Sequence, residues 1–164
     1  MTTRAQIVEE ARTWKGTPWM HQQAVKGVGA DCVAFIEAVA LETLATGGDV
    51  SFAKDYSRSE DGATMLRLLA EHMEQIDPAE ALPGDVLALI AEDLRRPSIP
   101  RHMVIVTEVR ESPRTRYVIH ASEHGVREHR MDAHWERRVH SAWRARGLAD
   151  SNAQEQGEER GAEH

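Results

Sequence analysis

The fold of this 164-residue chain is decided by one stretch, Gly27-Val28-Gly29-Ala30-Asp31-Cys32-Val33-Ala34-Phe35-Ile36. Asp31 is a residue type that caps helix N-termini, and an apolar run follows it at once. The two glycines make a flexible approach to this cap. The stretch therefore predicts a loop that opens into a buried helix from about Cys32 to Leu44, with the thiol in the first turn.

Cys32 is the only cysteine of the chain, which excludes an intrachain disulfide. A helix N-terminus carries about half a positive charge and unpaired N–H groups, and both favour the thiolate, the nucleophilic form of cysteine. Free cysteine is also among the most buried residue types. From this stretch alone, a nucleophile and a core residue are equally good interpretations of Cys32.

The composition is that of an ordinary globular domain, with 41% hydrophobic and 29% charged residues. The net charge of −7 shows no basic excess, so we expect no nucleic-acid partner. No segment approaches the roughly 18 apolar residues of a membrane span, so no membrane partner is expected either. The sequence has no glycine-rich phosphate loop, and we expect no cofactor.

The chain divides into a predicted single domain, residues 1–147, and an acidic tail, residues 148–164, without hydrophobic periodicity. A polar segment of this kind is expected to be disordered. Residues 1–10 have neither the apolar region nor the cleavage pattern of a signal peptide. We therefore expect synthesis in the cytoplasm without a signal peptide.

The spacing of hydrophobic residues changes at Pro83: it is typical of helices before this residue and of strands after it. We expect a first helix capped by Thr2 or Thr3 and ended by Gly16, and a third helix whose apolar face includes Met65 and Met73. Strands are predicted at 86–90, 103–109, 116–121, 126–131 and 139–144, a helical turn at 132–137, and loops at 19–30, 51–62 and 95–101. Helices followed by strands are typical of an α+β domain with a mostly antiparallel sheet.

Two histidines lie where they can serve a cysteine nucleophile, which needs a base and a group that orients the base. His102 opens one predicted strand, and His120 lies near the end of the next. In antiparallel neighbours the start of one strand lies beside the end of the other. We expect His102 to deprotonate Cys32 and His120 to hold the His102 ring in the useful tautomer. The alternative is that two of nine histidines happen to begin and end strands.

Five ordered motifs resemble the NlpC-type papain-like cell-wall peptidases, particularly small single-domain proteins of tailed phages and gene transfer particles. They are Gly16-Thr17-Pro18-Trp19, the stretch from Gly27 to Phe35, Pro83-Gly84-Asp85-Val86-Leu87, His102-Met103-Val104-Ile105-Val106 and Val118-Ile119-His120-Ala121. The resemblance covers roughly Ile7 to Trp143.

This resemblance implies a circularly permuted papain-like fold, in which N-terminal helices pack on a mostly antiparallel sheet. It implies catalytic roles for Cys32, His102 and His120, and hydrolysis of peptidoglycan stem peptides through an acyl-enzyme. It also implies phage-like tail proteins as partners and a virion or tail particle that acts in the cell envelope.

The resemblance extends to residues around the expected cleft, where the chain also departs from the family. Trp19 replaces the usual Tyr and offers only an indole N–H donor. Val33 replaces a common Ser, and Val104 replaces a smaller residue. We name Trp19, Asp31 and His21 as substrate-binding candidates, although Asp31 is better explained as a helix cap and His21 as a surface residue.

Clustered histidines also suggest a zinc site, formed by His120, His124, His129 and His134. Their spacings suit one helix face, but the region is predicted as strand and turn. We therefore expect these side chains not to converge, and we predict no metal site. Trp135, with Trp14 and Trp143, is expected to pack in the core or at its edge.

Two other classes of function stay open. A tail-tip subunit would keep the fold for assembly and cut nothing, and it would tolerate loss of Cys32. An amidase or acyltransferase would use the same thiol chemistry on another amide or ester.

Overall fold

The computed structural model describes residues 1–43, 62–91 and 99–149. The helices are α1 (Arg4–Thr13), α2 (Cys32–Thr43), α3 (Gly62–His72) and α4 (Ala133–Arg137), with a 3-10 turn at Pro78–Glu80. The strands are β1 (Ala24–Val25), β2 (Gly29–Ala30), β3 (Met73–Ile76), β4 (Val86–Ile90), β5 (Pro100–Glu111), β6 (Arg114–Ser122), β7 (Gly125–Arg130) and β8 (Val139–Ala145). No helix within these ranges is long and apolar enough to cross a membrane.

Six strands form one sheet in the order β3-β8-β4-β5-β6-β7, and every neighbouring pair is antiparallel. The two short strands β1 and β2 pair separately, as a hairpin directly before α2. The sheet and the N-terminal helices confirm the predicted α+β class.

The helices cover one face of this sheet. Phe35 and Ile36 of α2 are buried in the same cluster as Met103 and Ile105 of β5 and Ile119 of β6. Residues of α1 and α3 complete this cluster. Because alternate residues of a strand point to opposite faces, the side chain of Val104 turns to the other face.

The other face is buried as well. Leu87 and Leu89 of β4, Val104 and Val106 of β5 and Val118 of β6 are fully buried there, with Trp135 packed against them. A sheet that is covered on both sides explains why the predicted strands at 86–90 and 103–106 are continuous apolar runs without polar alternation.

Three predicted boundaries differ from the structure. The segment expected as a loop at 19–30 contains the β1–β2 hairpin, since strands of two residues carry no periodicity that a sequence shows. Met73 begins β3 instead of ending α3, and β5 begins at Pro100 inside the expected loop. The end of the second helix at Leu44, the connection at 51–61 and the loop at 95–98 lie outside the described residues.

A buried carboxylate, that of Asp85 in the turn before β4, links helix α1 to the sheet. It is fully buried and accepts hydrogen bonds from Arg4 at 3.0 Å and from Arg144 at 2.8 Å. It also accepts one from the backbone N–H of Leu82 at 2.9 Å. The predicted turn at Pro83-Gly84-Asp85 therefore joins α1 to β8 as well as reversing the chain.

The two ends of the described chain meet. Thr2 pairs with Leu148, and the backbone N–H of Ala149 donates to the Thr2 carbonyl at 2.8 Å. Thr3, one of the two caps that the sequence predicts, caps α1, and with Gln6 it forms the reciprocal pair of a capping box. Residues 150–164 lie outside the described residues, so disorder of the acidic tail stays a prediction.

Candidate active site

Cys32 is the first residue of α2, and Asp31 caps the helix before it. One carboxylate oxygen of Asp31 accepts from the backbone N–H of Ala34 at 2.8 Å, and the other accepts from the backbone N–H of Gln22 at 2.6 Å. The predicted cap is confirmed. Because Asp31 also holds the preceding loop, it fixes the position of the helix end that carries the thiol.

The thiol of Cys32 lies at the junction of α2 and β5. Cys32 as a whole residue is half-buried, and the backbone N–H of Met103, the residue after His102, points towards its thiol. Burial is the largest influence on this thiol and raises its pKa to about 12, and the negative charge of Asp31 acts in the same direction. Backbone N–H groups of Met103, Val33 and Cys32 lower the pKa by less.

The resting thiol is therefore neutral at physiological pH, a point that the sequence leaves open. The helix end acts as predicted, since its N–H groups lower the pKa. Burial and the adjacent carboxylate outweigh it. A neutral thiol needs a base to become a nucleophile.

His102 and His120 lie side by side on neighbouring strands. Their strands, β5 and β6, are antiparallel, and Nε2 of His102 lies 2.6 Å from Nδ1 of His120. The predicted adjacency is confirmed. Since Nε2 of His102 is occupied by this hydrogen bond, Nδ1 is the ring nitrogen left for a reacting group, while the catalytic roles of both residues stay predictions.

Both rings are neutral at physiological pH. Burial above all, together with the positive charge of Arg138, lowers the pKa of His102 to about 4. Burial is also the largest cause that lowers the pKa of His120 to about 2, and the positive charge of Arg138 acts in the same direction. A neutral His102 has a free lone pair and can accept a proton.

A third histidine, which the sequence argument set aside, joins this pair. Nε2 of His129 on β7 lies 2.9 Å from Nε2 of His120, and Nδ1 of His129 lies 2.9 Å from the backbone carbonyl of Arg130. The expectation that the clustered histidines do not converge is wrong for His120 and His129. The reason is the β6–β7 register, which pairs His129 with Val118, two residues from His120 on the same face.

Trp135 also belongs to the site and not only to the core edge where it was expected. Its ring centroid lies 5.2 Å from that of His120 and 4.6 Å from that of His129, at steep angles to both. The guanidinium of Arg138 lies over the indole, 4.8 Å from the ring centroid, and its Nε donates to the carbonyl of Ile90. Trp135 therefore contacts both histidine rings and a fixed positive charge.

The remaining candidates lie in the loop before Cys32. Trp19 is half-buried, pairs with Ala30 through the backbone and stacks on His21 with ring centroids 6.4 Å apart. Nδ1 of His21 lies 3.7 Å from the Asp31 carboxylate. Both aromatic residues are thereby tied to the residue before the thiol, and their part in substrate binding stays a prediction.

Two solved structures are similar to this chain over most of its length. One is the NlpC/p60 domain of the peptidoglycan hydrolase SagA, with a TM-score of 0.57 and 21% identity over 85% of this chain and 97% of that one. The other is a lipoprotein-like protein of the NLP/P60 family from Staphylococcus aureus subsp. aureus Mu50, with a TM-score of 0.60 and 17% identity over 90% of this chain. The chain has the NlpC/p60 fold.

This likeness concerns the fold and supports the papain-like architecture predicted from the sequence. The chain spans 42% of the length of the staphylococcal protein. No protein-family model matches the chain, and no curated protein does.

His102, His120 and His129 do not form a zinc site. Their nitrogens lie 2.6 and 2.9 Å apart, which are hydrogen-bond distances. Two nitrogens bound to one tetrahedral zinc ion at about 2.0 Å would be about 3.3 Å apart. Across the described ranges, no group of three His, Cys, Asp or Glu side chains is arranged to hold a metal ion. His124 lies apart in the exposed β6–β7 turn, where it contacts Glu123.

Proposed function

We propose that this chain is a cysteine endopeptidase that hydrolyses peptide-stem bonds of bacterial peptidoglycan. Cys32 is the nucleophile, His102 the base and His120 the group that orients the base. The hydrogen bond between His102 and His120, on the strand that meets the Cys32 thiol, is the observation that carries this proposal. The similarity to NlpC/p60 structures, one of them from a peptidoglycan hydrolase, supports the substrate class.

The reaction begins from a neutral thiol and a neutral imidazole. As the sulfur of Cys32 attacks the scissile carbonyl carbon, the thiol proton passes to Nδ1 of His102. A carbon–sulfur bond forms, and the carbonyl electron pair moves to the oxygen. The carbon–nitrogen bond then breaks, and His102 returns the proton to the departing amine. An acyl-enzyme on Cys32 remains.

Water completes the cycle by the same route. His102 takes a proton from the water, whose oxygen attacks the thioester carbonyl, and the carbon–sulfur bond breaks. The proton then returns from His102 to the sulfur, which restores the neutral pair. The backbone N–H of Cys32, at the start of α2, is suited to hold the oxyanion of both tetrahedral intermediates.

The loop before Cys32 supplies the residues for substrate contact. Trp19 and His21 present a stacked aromatic pair beside Asp31, and Trp19 has an indole N–H to donate. A peptide strand that reaches the thiol from this side would lie against that pair. Asp31 acts through its backbone contacts and is not the proton donor of the reaction.

The test is mass spectrometry of purified peptidoglycan after digestion with the wild-type protein, with Cys32→Ala and His102→Gln. New stem-peptide fragments that are absent from both variants are the expected result. His124→Gln is the matched control, because His124 is an exposed histidine outside the site, and it should digest like the wild type. The fragment masses also identify the bond that is cut.

The opposite result would favour another class of function. If the wild type produces no fragments from several wall types between about pH 6 and about pH 9, the hydrolase proposal is refuted. This result would favour a structural tail-tip subunit. Transfer of the acyl group to an added amine in preference to water would favour an acyltransferase.

We also propose that the protein reaches the cell wall as a component of a phage-like tail after synthesis in the cytoplasm. The support is the resemblance of its ordered motifs to those of small single-domain tail proteins. Immunodetection of the chain in purified particles, with assembly compared between wild type and Cys32→Ala, tests this role. Particles without the chain would refute it.

A further inference from the structure

A continuous chain of hydrogen bonds runs from a backbone carbonyl to the candidate base. It begins at the carbonyl oxygen of Arg130, passes through His129 and His120, and ends at Nε2 of His102. The three distances are 2.9, 2.9 and 2.6 Å. Each ring nitrogen on the way has one partner, so the order of donors and acceptors is constrained at every step.

The carbonyl at the start decides the direction of the whole chain. A carbonyl oxygen only accepts, so Nδ1 of His129 must carry a hydrogen. In a neutral ring the other nitrogen then accepts, so Nε2 of His129 receives the hydrogen of Nε2 of His120. Nδ1 of His120 is in turn an acceptor, and it receives the hydrogen of Nε2 of His102.

The last step leaves the lone pair of His102 on Nδ1, the ring nitrogen that takes no part in these hydrogen bonds. We propose that His129 is a positioning residue, which sets the tautomer of the base His102 through His120. This inference rests on the proposed function for its catalytic consequence. The tautomers themselves are a property of the folded protein without substrate.

The surroundings of the three histidine rings keep this series of hydrogen bonds in the donor order described above. Burial and the charge of Arg138 disfavour protonation of His102 and of His120, and a protonated His120 would have no acceptor nitrogen for the hydrogen of His102. Trp135 packs against the rings of His120 and His129 and hinders their rotation.

A structural role for His129 predicts something different. If the side chain served only packing on β7, an apolar residue of similar size would replace it without effect on His102. If His129 acts through hydrogen bonding, the tautomer of His102 must depend on whether the residue at position 129 offers a hydrogen-bond acceptor. Gln supplies an acceptor oxygen, Leu supplies no polar atom, and Lys supplies only donors.

The experiment is nitrogen-15 NMR of the histidine rings at neutral pH in the substrate-free full chain, for wild type, His129→Gln, His129→Leu and His129→Lys. In the wild type we expect the hydrogen on Nε2 of His102 and His120 and on Nδ1 of His129. His102 should keep this form in His129→Gln, populate both forms in His129→Leu and invert in His129→Lys. Thermal unfolding of each variant shows that it is folded.

Turnover on peptidoglycan fragments provides the second measurement. Relative to wild type, kcat should be nearly unchanged in His129→Gln, fall a few-fold in His129→Leu and fall about 100-fold in His129→Lys, with KM within about two-fold throughout. His124→Lys, which adds the same charge in the exposed β6–β7 turn, is the control and should keep full activity.

Two results would overturn the inference. One is a wild-type His102 with its hydrogen on Nδ1, a measurement that needs no variant to fold. The other is a His102 tautomer that is the same in His129→Leu, His129→Lys and wild type. If the tautomers follow the prediction but no variant, nor the wild type, cleaves peptidoglycan, the positioning role stands and the proposed hydrolase is refuted.

Discussion

The resting state of Cys32 makes a prediction about its reactivity. With a pKa of about 12, against an ordinary value of 9.0, the thiolate fraction at neutral pH falls from about 10⁻² to about 10⁻⁵. A thiolate of higher pKa is more nucleophilic, by about 20- to 30-fold for this difference. Cys32 in the folded protein should therefore react with iodoacetamide about 30- to 50-fold more slowly than in the unfolded chain.

The assay is straightforward because the chain has one cysteine. Alkylation is followed by intact mass in the folded protein and in denaturant, from about pH 6 to about pH 10. The folded rate should rise about ten-fold for each pH step of one and show no plateau in this range. Stability must be checked at each pH, so that opening of the fold does not contribute.

Asp31→Asn tests the second influence on the thiol. Asn retains an oxygen that can cap α2 through Ala34 but lacks the negative charge that helps to raise the pKa of Cys32. Alkylation should therefore become several-fold faster, while burial keeps it slower than in the unfolded chain. A wild-type rate that reaches a plateau below about pH 7 would mean a resting thiolate–imidazolium pair and refute this reasoning.

Three further predictions concern stability. Asp85→Ala should destabilise the fold by about 3 kcal/mol in urea unfolding, because it leaves two arginines without their buried partner, and a loss below about 1 kcal/mol would contradict this. Burial raises the pKa of Glu128, but hydrogen bonds from Arg12 and Lys15 outweigh it and lower the pKa to about 2. The ionised form therefore stabilises the fold above the ordinary pKa of 4.5, and this stabilisation is lost as the pH falls towards about 2. Glu128→Gln should be less stable by about 1 kcal/mol at neutral pH and equal near pH 2, and parallel pH profiles would refute the assignment. Thr3→Ala should lower the free energy of unfolding by about 1 kcal/mol in thermal unfolding. An unchanged unfolding midpoint would show that the capping box does not stabilise the fold.

The sequence predicts well where the argument depends on chain direction and local chemistry. The Asp31 cap follows from residue type and position, and the His102–His120 contact follows from two strands joined by a short connection. Both are consequences of rules that hold without knowledge of the packing. The α+β class follows from the change of hydrophobic period at Pro83.

The parts of the site that were missed depend on register and packing. His129 would have been found from the turn between β6 and β7, since Ser122 pairs with Gly125 and a two-residue turn places 129 opposite 118. Trp135 comes to the rings through α4, whose position depends on tertiary packing. The sequence leaves the protonation state of the thiol open, because the extent of burial at the α2–β5 junction is a property of the assembled fold.

In the proposed mechanism, a neutral Cys32–His102 pair and a directed series of histidine hydrogen bonds keep the site inactive until substrate binds. In the free protein, Arg138 and burial make an imidazolium on His102 unfavourable, so the thiol proton has no stable place to go. When the sulfur attacks a carbonyl, negative charge develops on the substrate oxygen beside His102, and the imidazolium becomes favourable only then. Because the lone pair on Nδ1 is already set by the chain that starts at Arg130, no ring rotation is needed at that moment. The proposed proton transfer is thereby coupled to attack on a bound carbonyl, and we expect the same two properties that suppress a free thiolate to protect Cys32 from alkylation and oxidation.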